Sequence, residues 1–316
     1  MPQPIKVAVV GLGHMGALHL AKLVECSLVD VSCLCDKNLD VCKDFSGRYS
    51  IPFFPDYREI PCSAINAVVI ATNTISHLEI AKYFLSHKVN VLLEKPMTDC
   101  AQSARELVEL ARINSCVLQV GHIERFNPAY LRLKSNISSP RYIEAKRITP
   151  FRGRGADVNV IFDLMLHDLD LVLDLVNEFP VKVDAVGVPV LTEHIDMAQV
   201  RIEFPTSVVA NLSVSRVAHS AERTMRVFQP DACLTIDYQA KKYKALRKSI
   251  VDGNPMITCH EELLEASDAL TSQLESFIDS INNGSKVVVD GYDGLRSIEI
   301  VELVVNSINK SNSVLN

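Results

Sequence analysis

The chain has 316 residues, enough for two ordinary domains, with 48% of them hydrophobic and 22% charged. Its 32 basic and 38 acidic residues leave a formal charge of −6, which excludes a general nucleic-acid binder but permits a local basic pocket. No apolar run reaches the roughly eighteen residues of a membrane span, the N-terminus lacks a signal-peptide layout, and the nine cysteines form no C-x-x-C pair. A reduced, cytoplasmic protein without a disulfide framework or a membrane partner is the expectation.

Taken in order, the chain opens with an apolar strand, Ile5 to Val10, that runs into Gly11-Leu12-Gly13-His14-Met15-Gly16 and then an amphipathic helix from Met15 to Val24. This is G-x-G-x-x-G with a strand before it and a helix after it. Gly11 permits the tight turn, Gly13 lets the backbone approach a pyrophosphate, and Gly16 lets helix and strand pack closely. His14 and Met15 belong to the same cofactor-binding turn, where N–H groups at the helix start receive the anion. A second strand, Val29 to Cys35, ends in Asp36, about twenty residues past Gly16, where a carboxylate bonds both ribose hydroxyls and favours NAD over NADP.

Helices and strands then alternate. A helix over 40–49 is followed by a short strand over 51–54, a buried strand over 67–71 ending in Thr72-Asn73, and a helix over 76–86 with His77 in its first turn. Strands at 89–93 and 117–120 flank a helix over 99–114; the first of them ends in Glu94-Lys95-Pro96. Uninterrupted apolar strands alternating with helices mean a parallel sheet covered on both faces, with ligands beyond the strands' carboxyl ends. Asp36, Asn73, Glu94, Lys95 and His122 are therefore expected on one rim, with Thr72 and His77 as further cofactor-binding candidates. Lys95 has little freedom beside Pro96, and the bond between them is a candidate cis peptide. A lysine there either pairs with Glu94 or relays the proton of a substrate hydroxyl.

The second half begins with a strand over 142–148 and a loop in which Arg152 and Arg154 flank Gly153. Guanidinium groups suit phosphates, so these two arginines are the local sign of an anionic substrate, unless the loop is simply solvated. A helix from Asp163 to Asp174 follows, apolar over most of its circumference but with Asp163, His167, Asp170 and Asp174 within about 60° of one another. Such a stripe faces water or a wet cleft. Alternating segments over 184–190, 197–204, 207–217, 224–229 and 233–237 read as antiparallel strands, and helices close the chain from about Leu263 to Asn282 and Leu295 to Ser311. Asp163 and His167 stand at i and i+4, but no third ligand is evident, so no metal is expected.

Gly11-x-Gly13-x-x-Gly16, Glu94-Lys95-Pro96 and Asp163-x-x-x-His167 together resemble the Gfo/Idh/MocA oxidoreductase family, and the resemblance spans the chain to Asp293-Gly294-Leu295-Arg296-Ser297. It implies an N-terminal NAD(P)-binding Rossmann domain, residues 1–121, and a C-terminal substrate-binding and oligomerisation α/β domain, residues 122–316, with an open, largely antiparallel sheet. The closing helices are expected to pack back on the first domain. Lys95, Asp163 and His167 then line the catalytic cleft, with Asp163 orienting His167, and either Lys95 or His167 acting as the base. The run Gly121-His122-Ile123-Glu124-Arg125-Phe126-Asn127 and the segment 157–161 are similar to a subgroup that oxidises UDP-N-acetylglucosamine at C3, ahead of a PLP-dependent aminotransferase that makes an amino sugar for lipid A. His122, Glu124, Arg125, Arg152 and Arg154 are the substrate-binding candidates alongside Asp163 and His167. His122 and Arg125 also suit a purely structural role. A homodimer or homotetramer through the C-terminal sheet is implied. Two other functions stay open: a dehydrogenase of a free sugar or inositol, and a non-catalytic dinucleotide sensor.

Overall fold

The chain divides into two units, one made of Met1–Ile123 with Ala269–Ile298 and the other of Glu124–Asp268 with Glu299–Asn316. A computed structural model describes residues 4–151, 158–251, 254–265 and 267–315.

The first unit is built on six strands, β1 (Ile5–Val10), β2 (Val29–Cys35), β3 (Phe53–Phe54), β4 (Ala67–Ile70), β5 (Asn90–Leu93) and β6 (Leu118–Val120). They lie parallel in the order β3-β2-β1-β4-β5-β6. Strands this apolar and short can be buried on both faces, and β4 is: its four residues are all fully buried. Four helices connect the strands: α1 (His14–Glu25), α2 (Leu39–Tyr49), α3 (Thr74–Ser86) and α4 (Ala101–Ile113). The later helix α7 (Ala269–Asn283) belongs to the same unit, where Leu274, Phe277 and Ile278 share a core with Leu20 and Leu23 of α1. Strand order reverses at β1, which has β2 on one side and β4 on the other, so the crevice for a ligand opens at their carboxyl ends.

The second unit holds eight strands: β7 (Tyr142–Ile148), β8 (Lys182–Val188), β9 (Met197–Glu203), β10 (Val209–Ser215), β11 (Glu222–Gln229), β12 (Ala232–Asp237), β13 (Lys242–Val251) and β14 (Asn254–Leu263). Their order is β14-β13-β12-β11-β7-β10-β9-β8, antiparallel throughout except for the β7–β10 pair. One face is covered: α5 (Pro128–Lys134), α6 (Leu166–Val176) and the later part of α8 (Gly291–Leu315) bring Leu133, Leu169, Val172, Val304 and Ile308 into a core with Val200, Ile202 and Leu212. The other face is open, as the alternation along β9 shows, with Ala198, Val200 and Ile202 buried and Gln199 and Arg201 exposed. Ser307 of α8 accepts the Ala185 N–H at 2.9 Å, covering the edge of β8.

Three local expectations are corrected. The helix expected from about Leu263 begins at Ala269, and residues 254–263 are instead the edge strand β14. Its partner β13 and the short helix α5 were not anticipated; β14 is exposed along nearly all its length, so it carries no inside–outside alternation to read. The striped helix is interrupted at its start: Ile161–Met165 forms a π turn, and regular α-helix begins only at Leu166. Among the described residues no helix is long and apolar enough to cross a membrane, and no cluster of three or more His, Cys, Asp or Glu suits a metal ion.

Candidate active site

The glycine turn is shaped by atoms that leave no room for side chains. Gly11 has φ +90°, and a Cβ there would stand 2.6 Å from the Ala71 carbonyl oxygen. At Gly16 a Cβ would meet the Gly11 carbonyl oxygen at 1.8 Å. Gly13 differs, because a Cβ there would meet nothing within 4 Å. It would project into a cavity of about 470 Å³ lined by Gly11, Gly13, Asp36, Thr72 and Asn73. Gly13 is also the N-cap of α1 and supplies no side chain to the first N–H groups, at His14 and Met15. An open concavity at a bare helix N-terminus fits a pyrophosphate.

Asp36 sits at the end of β2 with both oxygens fixed: Oδ2 accepts the Leu12 N–H at 2.7 Å and Oδ1 the Asn38 N–H at 2.8 Å. Each oxygen keeps a second lone pair for a ribose hydroxyl. A phosphate in that place would meet a fixed negative charge, so the arrangement suits NAD. The same cavity is walled by Asp56, Tyr57, Arg58, Ser76 and Glu79, none of them anticipated. The Arg58 guanidinium lies 4.5 Å over the Tyr57 ring and pairs with Asp56 and Glu79. Burial, then the hydrogen bond to Glu79, pushes the Tyr57 hydroxyl up to about 12, so it stays protonated. The signal was available: residues 56–58 follow β3 just as Asp36 follows β2, at the same rim.

Glu94, Lys95 and Pro96 follow β5, and the Lys95–Pro96 bond is cis. Lys95 is half-buried. Glu94 is 7% exposed, and its Oε1 lies 2.8 Å from His19 Nε2 while Oε2 accepts the Lys95 N–H at 3.2 Å. His77 does not reach the cavity by its own ring. It is 1% exposed, with Nδ1 2.9 Å from the Pro96 carbonyl and Nε2 3.1 Å from the Thr72 carbonyl. Burial pulls its pKa below 6.5 against the opposing effect of those carbonyls. His122, just past β6, is buried.

In the second unit Asp163 falls within the π turn and His167 in the first turn of α6; both are half-buried. A π turn adds a residue to the circuit and is frequent where a helix serves a site. The lower stripe is engaged inside the protein. Arg125 bonds Asp170 twice, at 2.8 and 2.7 Å, and reaches Asp174 at 3.0 Å. Tyr130 and Lys134 also bond Asp174. Arg147 grips Asp168 from another side and bonds Glu124 at 3.0 Å. Glu124 and Arg125 are thus tied to arginine and aspartate partners of their own unit. Arg152 and Arg154, with the intervening Gly153, lie outside the described residues.

Comparison with known proteins also divides the chain in two, with residues 269–298 of the first unit falling in the second match. Residues 5–122 match the family model of an oxidoreductase family with an NAD-binding Rossmann fold, and residues 154–315 match that family's C-terminal alpha/beta domain. The chain is 34% identical over 296 residues to UDP-N-acetylglucosamine 3-dehydrogenase of Acidithiobacillus ferrooxidans, covering 92% of this chain and 93% of the relative. A solved structure of that enzyme superposes with a TM-score of 0.90 at 33% identity, covering 98% of both chains. Inositol 2-dehydrogenase of Rhizobium meliloti is 21% identical over 321 residues, covering 96% of this chain and 97% of the relative. The glycine turn with its open cavity, the fixed Asp36 and the match along both units lead to one conclusion: the chain belongs to the Gfo/Idh/MocA family of NAD-dependent oxidoreductases.

Proposed function

We propose that this protein oxidises UDP-N-acetylglucosamine at C3 to the 3-keto sugar nucleotide. The observation that carries the reading is the 34% identity to UDP-N-acetylglucosamine 3-dehydrogenase over 92% of the chain, well above the 21% to an inositol dehydrogenase of similar length. Gly11, Gly13, the start of α1, Asp36 and Thr72 hold the cofactor, which when bound supplies the hydride acceptor.

What remains for the side chains is the proton. Oxidising a carbinol removes a proton from oxygen as well as a hydride from carbon, and a positioned base must take it. Lys95 and His167 are the two candidates. Asp163 precedes His167 by four residues and orients its ring. The group that takes the proton must be in its neutral form, an imidazole at His167 or an amine at Lys95.

The test is spectrophotometric. Purified protein with UDP-N-acetylglucosamine and NAD should generate reduced cofactor and a product carrying a 3-keto group by mass spectrometry. Replacing Lys95 or His167 with alanine should each lower kcat by about a hundredfold or more. Turnover of inositol or free hexoses in place of the nucleotide sugar would overturn the substrate while leaving the reaction class. Binding of NAD with no turnover of any of these would favour a sensor.

Two consequences concern partners. A 3-keto sugar nucleotide is a substrate for transamination, so a PLP-dependent aminotransferase is the proposed consumer. The open face of the eight-stranded sheet, where Val186 and Val188 are 51% and 49% exposed, is the proposed contact with a second copy. Light scattering should then give a dimer or tetramer; a monomer at micromolar concentration removes that part.

A further inference from the structure

Two buried histidines, His19 and His77, have no place in the chemistry described so far, and both adjoin the same three residues. His19 stands on α1, three residues past Gly16, and is fully buried. Its Nε2 lies 2.8 Å from Glu94 Oε1. A carboxylate only accepts, so Nε2 carries the proton of this bond. The other Glu94 oxygen receives the backbone N–H of Lys95. Gly121 closes this arrangement from a third side, since a Cβ there would stand 3.0 Å from the Glu94 carboxyl carbon.

His77 acts on the opposite flank. Its two ring nitrogens face the carbonyl oxygens of Pro96 and Thr72, at 2.9 and 3.1 Å. The buried, neutral ring has a single N–H, which bonds one of these carbonyls while the other nitrogen packs against the second, so the ring stands as a strut between two chain segments. One of those segments carries Pro96, next to Lys95. The other carries Thr72, which lines the cofactor cavity. The first histidine links the same two places by another route: α1, which carries it, begins just after its N-cap Gly13 in that cavity, and the His19 ring bonds Glu94. Each imidazole therefore connects a wall of the cofactor cavity to one neighbour of Lys95.

We propose that His19 and His77 are positioning residues for Lys95: through Glu94 and through Pro96 they fix the lysine in register with the cofactor cavity. The proposal rests on the reading of Lys95 as a proton-transfer group. Their effect is on where the Lys95 amino group stands, exerted through Glu94 and Pro96. Proton transfer is sensitive to such placement, since a displacement of about 1 Å can cost about a hundredfold in rate.

The experiment uses the full-length protein, UDP-N-acetylglucosamine and NAD. His19→Leu and His77→Leu keep volume and remove the bonds. The expected result is a fall in kcat of about a hundredfold for each, with KM for the sugar and the dissociation constant for NAD within about threefold of the parent. His19→Gln and His77→Asn place an amide N–H near the lost ring nitrogen and should recover about tenfold of the loss. A kcat within about threefold of the parent in folded leucine variants overturns the proposal, as does a loss of kcat matched by an equal loss of NAD affinity. Should the leucine variants fail to fold, His77→Asn against His77→Gln decides. The shorter side chain keeps the bond to Pro96 and the longer one the bond to Thr72, so higher kcat in His77→Asn is expected and equal kcat overturns. Full activity in Lys95→Ala would instead overturn the reading of the lysine, whatever the histidine variants do.

Discussion

Arg147 grips Asp168 through two bonds, Nε to Oδ2 and Nη2 to Oδ1, both 2.9 Å long, with the two side chains only 3% and 4% exposed. The guanidinium also lies 5.5 Å over the Tyr238 ring. Burial opposes its charge, but Asp168 and Glu124 outweigh burial, so Arg147 stays protonated. A buried pair of this kind gives little net stability compared with an apolar pair of the same shape, yet losing one partner leaves a charge stranded. Arg147→Met should therefore cost about 3–5 kcal/mol, and Arg147→Met combined with Asp168→Leu should recover most of it. Urea unfolding of the two variants checks this. A double variant no more stable than the single one would mean that the stranded carboxylate is not the source of the loss.

Arg125 makes the parallel arrangement with Asp170, two residues past Asp168 on α6, and with Asp174. Its side chain is 5% exposed. Arg125→Lys keeps the charge but cannot fork, so it should lose about 2 kcal/mol of stability with KM for the sugar nucleotide within about twofold of the parent. Substrate titrations and urea midpoints on the same preparation separate the two effects. A raised KM at unchanged stability would return Arg125 to the substrate.

These two arginines also show what a sequence can and cannot disclose about a site. The Rossmann half was legible because Gly11 and Gly16 are each required by a local clash, because Gly13 leaves the helix start open, and because rim residues follow strands whose apolar runs are unmistakable. Lys95 could be placed at a strand end by that rule alone. The stripe on α6 was legible as a stripe, but its partners were not. Arg125 lies 45 residues from Asp170, and Arg147 21 from Asp168, and nothing local pairs them. The periodicity also concealed the π turn, since a regular step of about 100° per residue assumes the α-helix it is used to detect. His19 was hidden for a related reason. It sits on the apolar side of an amphipathic helix, and only the fold brings Glu94, 75 residues on, against it.

Asp196 gives a pH dependence. It is fully buried and accepts the N–H groups of Val190, Leu191 and Thr192 at 2.6–2.8 Å, while Arg216 pairs with it at 2.7 Å. Burial alone would raise its pKa; those N–H groups and the Thr192 hydroxyl reverse this and hold it well below 3.8. A native value below the unfolded one means stability that is complete above the unfolded value and is lost as pH falls through the native value. Asp196→Asn should cost about 3 kcal/mol at neutral pH, and the gap to the parent should narrow below about pH 4, where only the parent titrates. Urea midpoints at several pH values test it, and a gap independent of pH would contradict the linkage.

Gly13 and Gly16 separate cofactor binding from folding. At Gly16 an added Cβ would stand 1.8 Å from a backbone oxygen, which cannot swing aside as a side-chain tip can. Gly16→Ala should therefore open the turn and lose both thermal stability and NAD affinity. At Gly13 the added carbon meets nothing within 4 Å, and the backbone there, φ −69° and ψ −162°, is one any residue adopts. The only loss to the fold is a poorer N-cap, worth less than about 1 kcal/mol. The methyl group would occupy cavity space where the backbone must approach a pyrophosphate, so Gly13→Ala should lower NAD affinity by at least about tenfold at nearly unchanged Tm. Thermal melts and NAD titrations of the two variants give the contrast. A Gly13→Ala protein that binds NAD as tightly as the parent would remove the pyrophosphate from this turn, because no other effect of that methyl group could compensate for the contact it blocks.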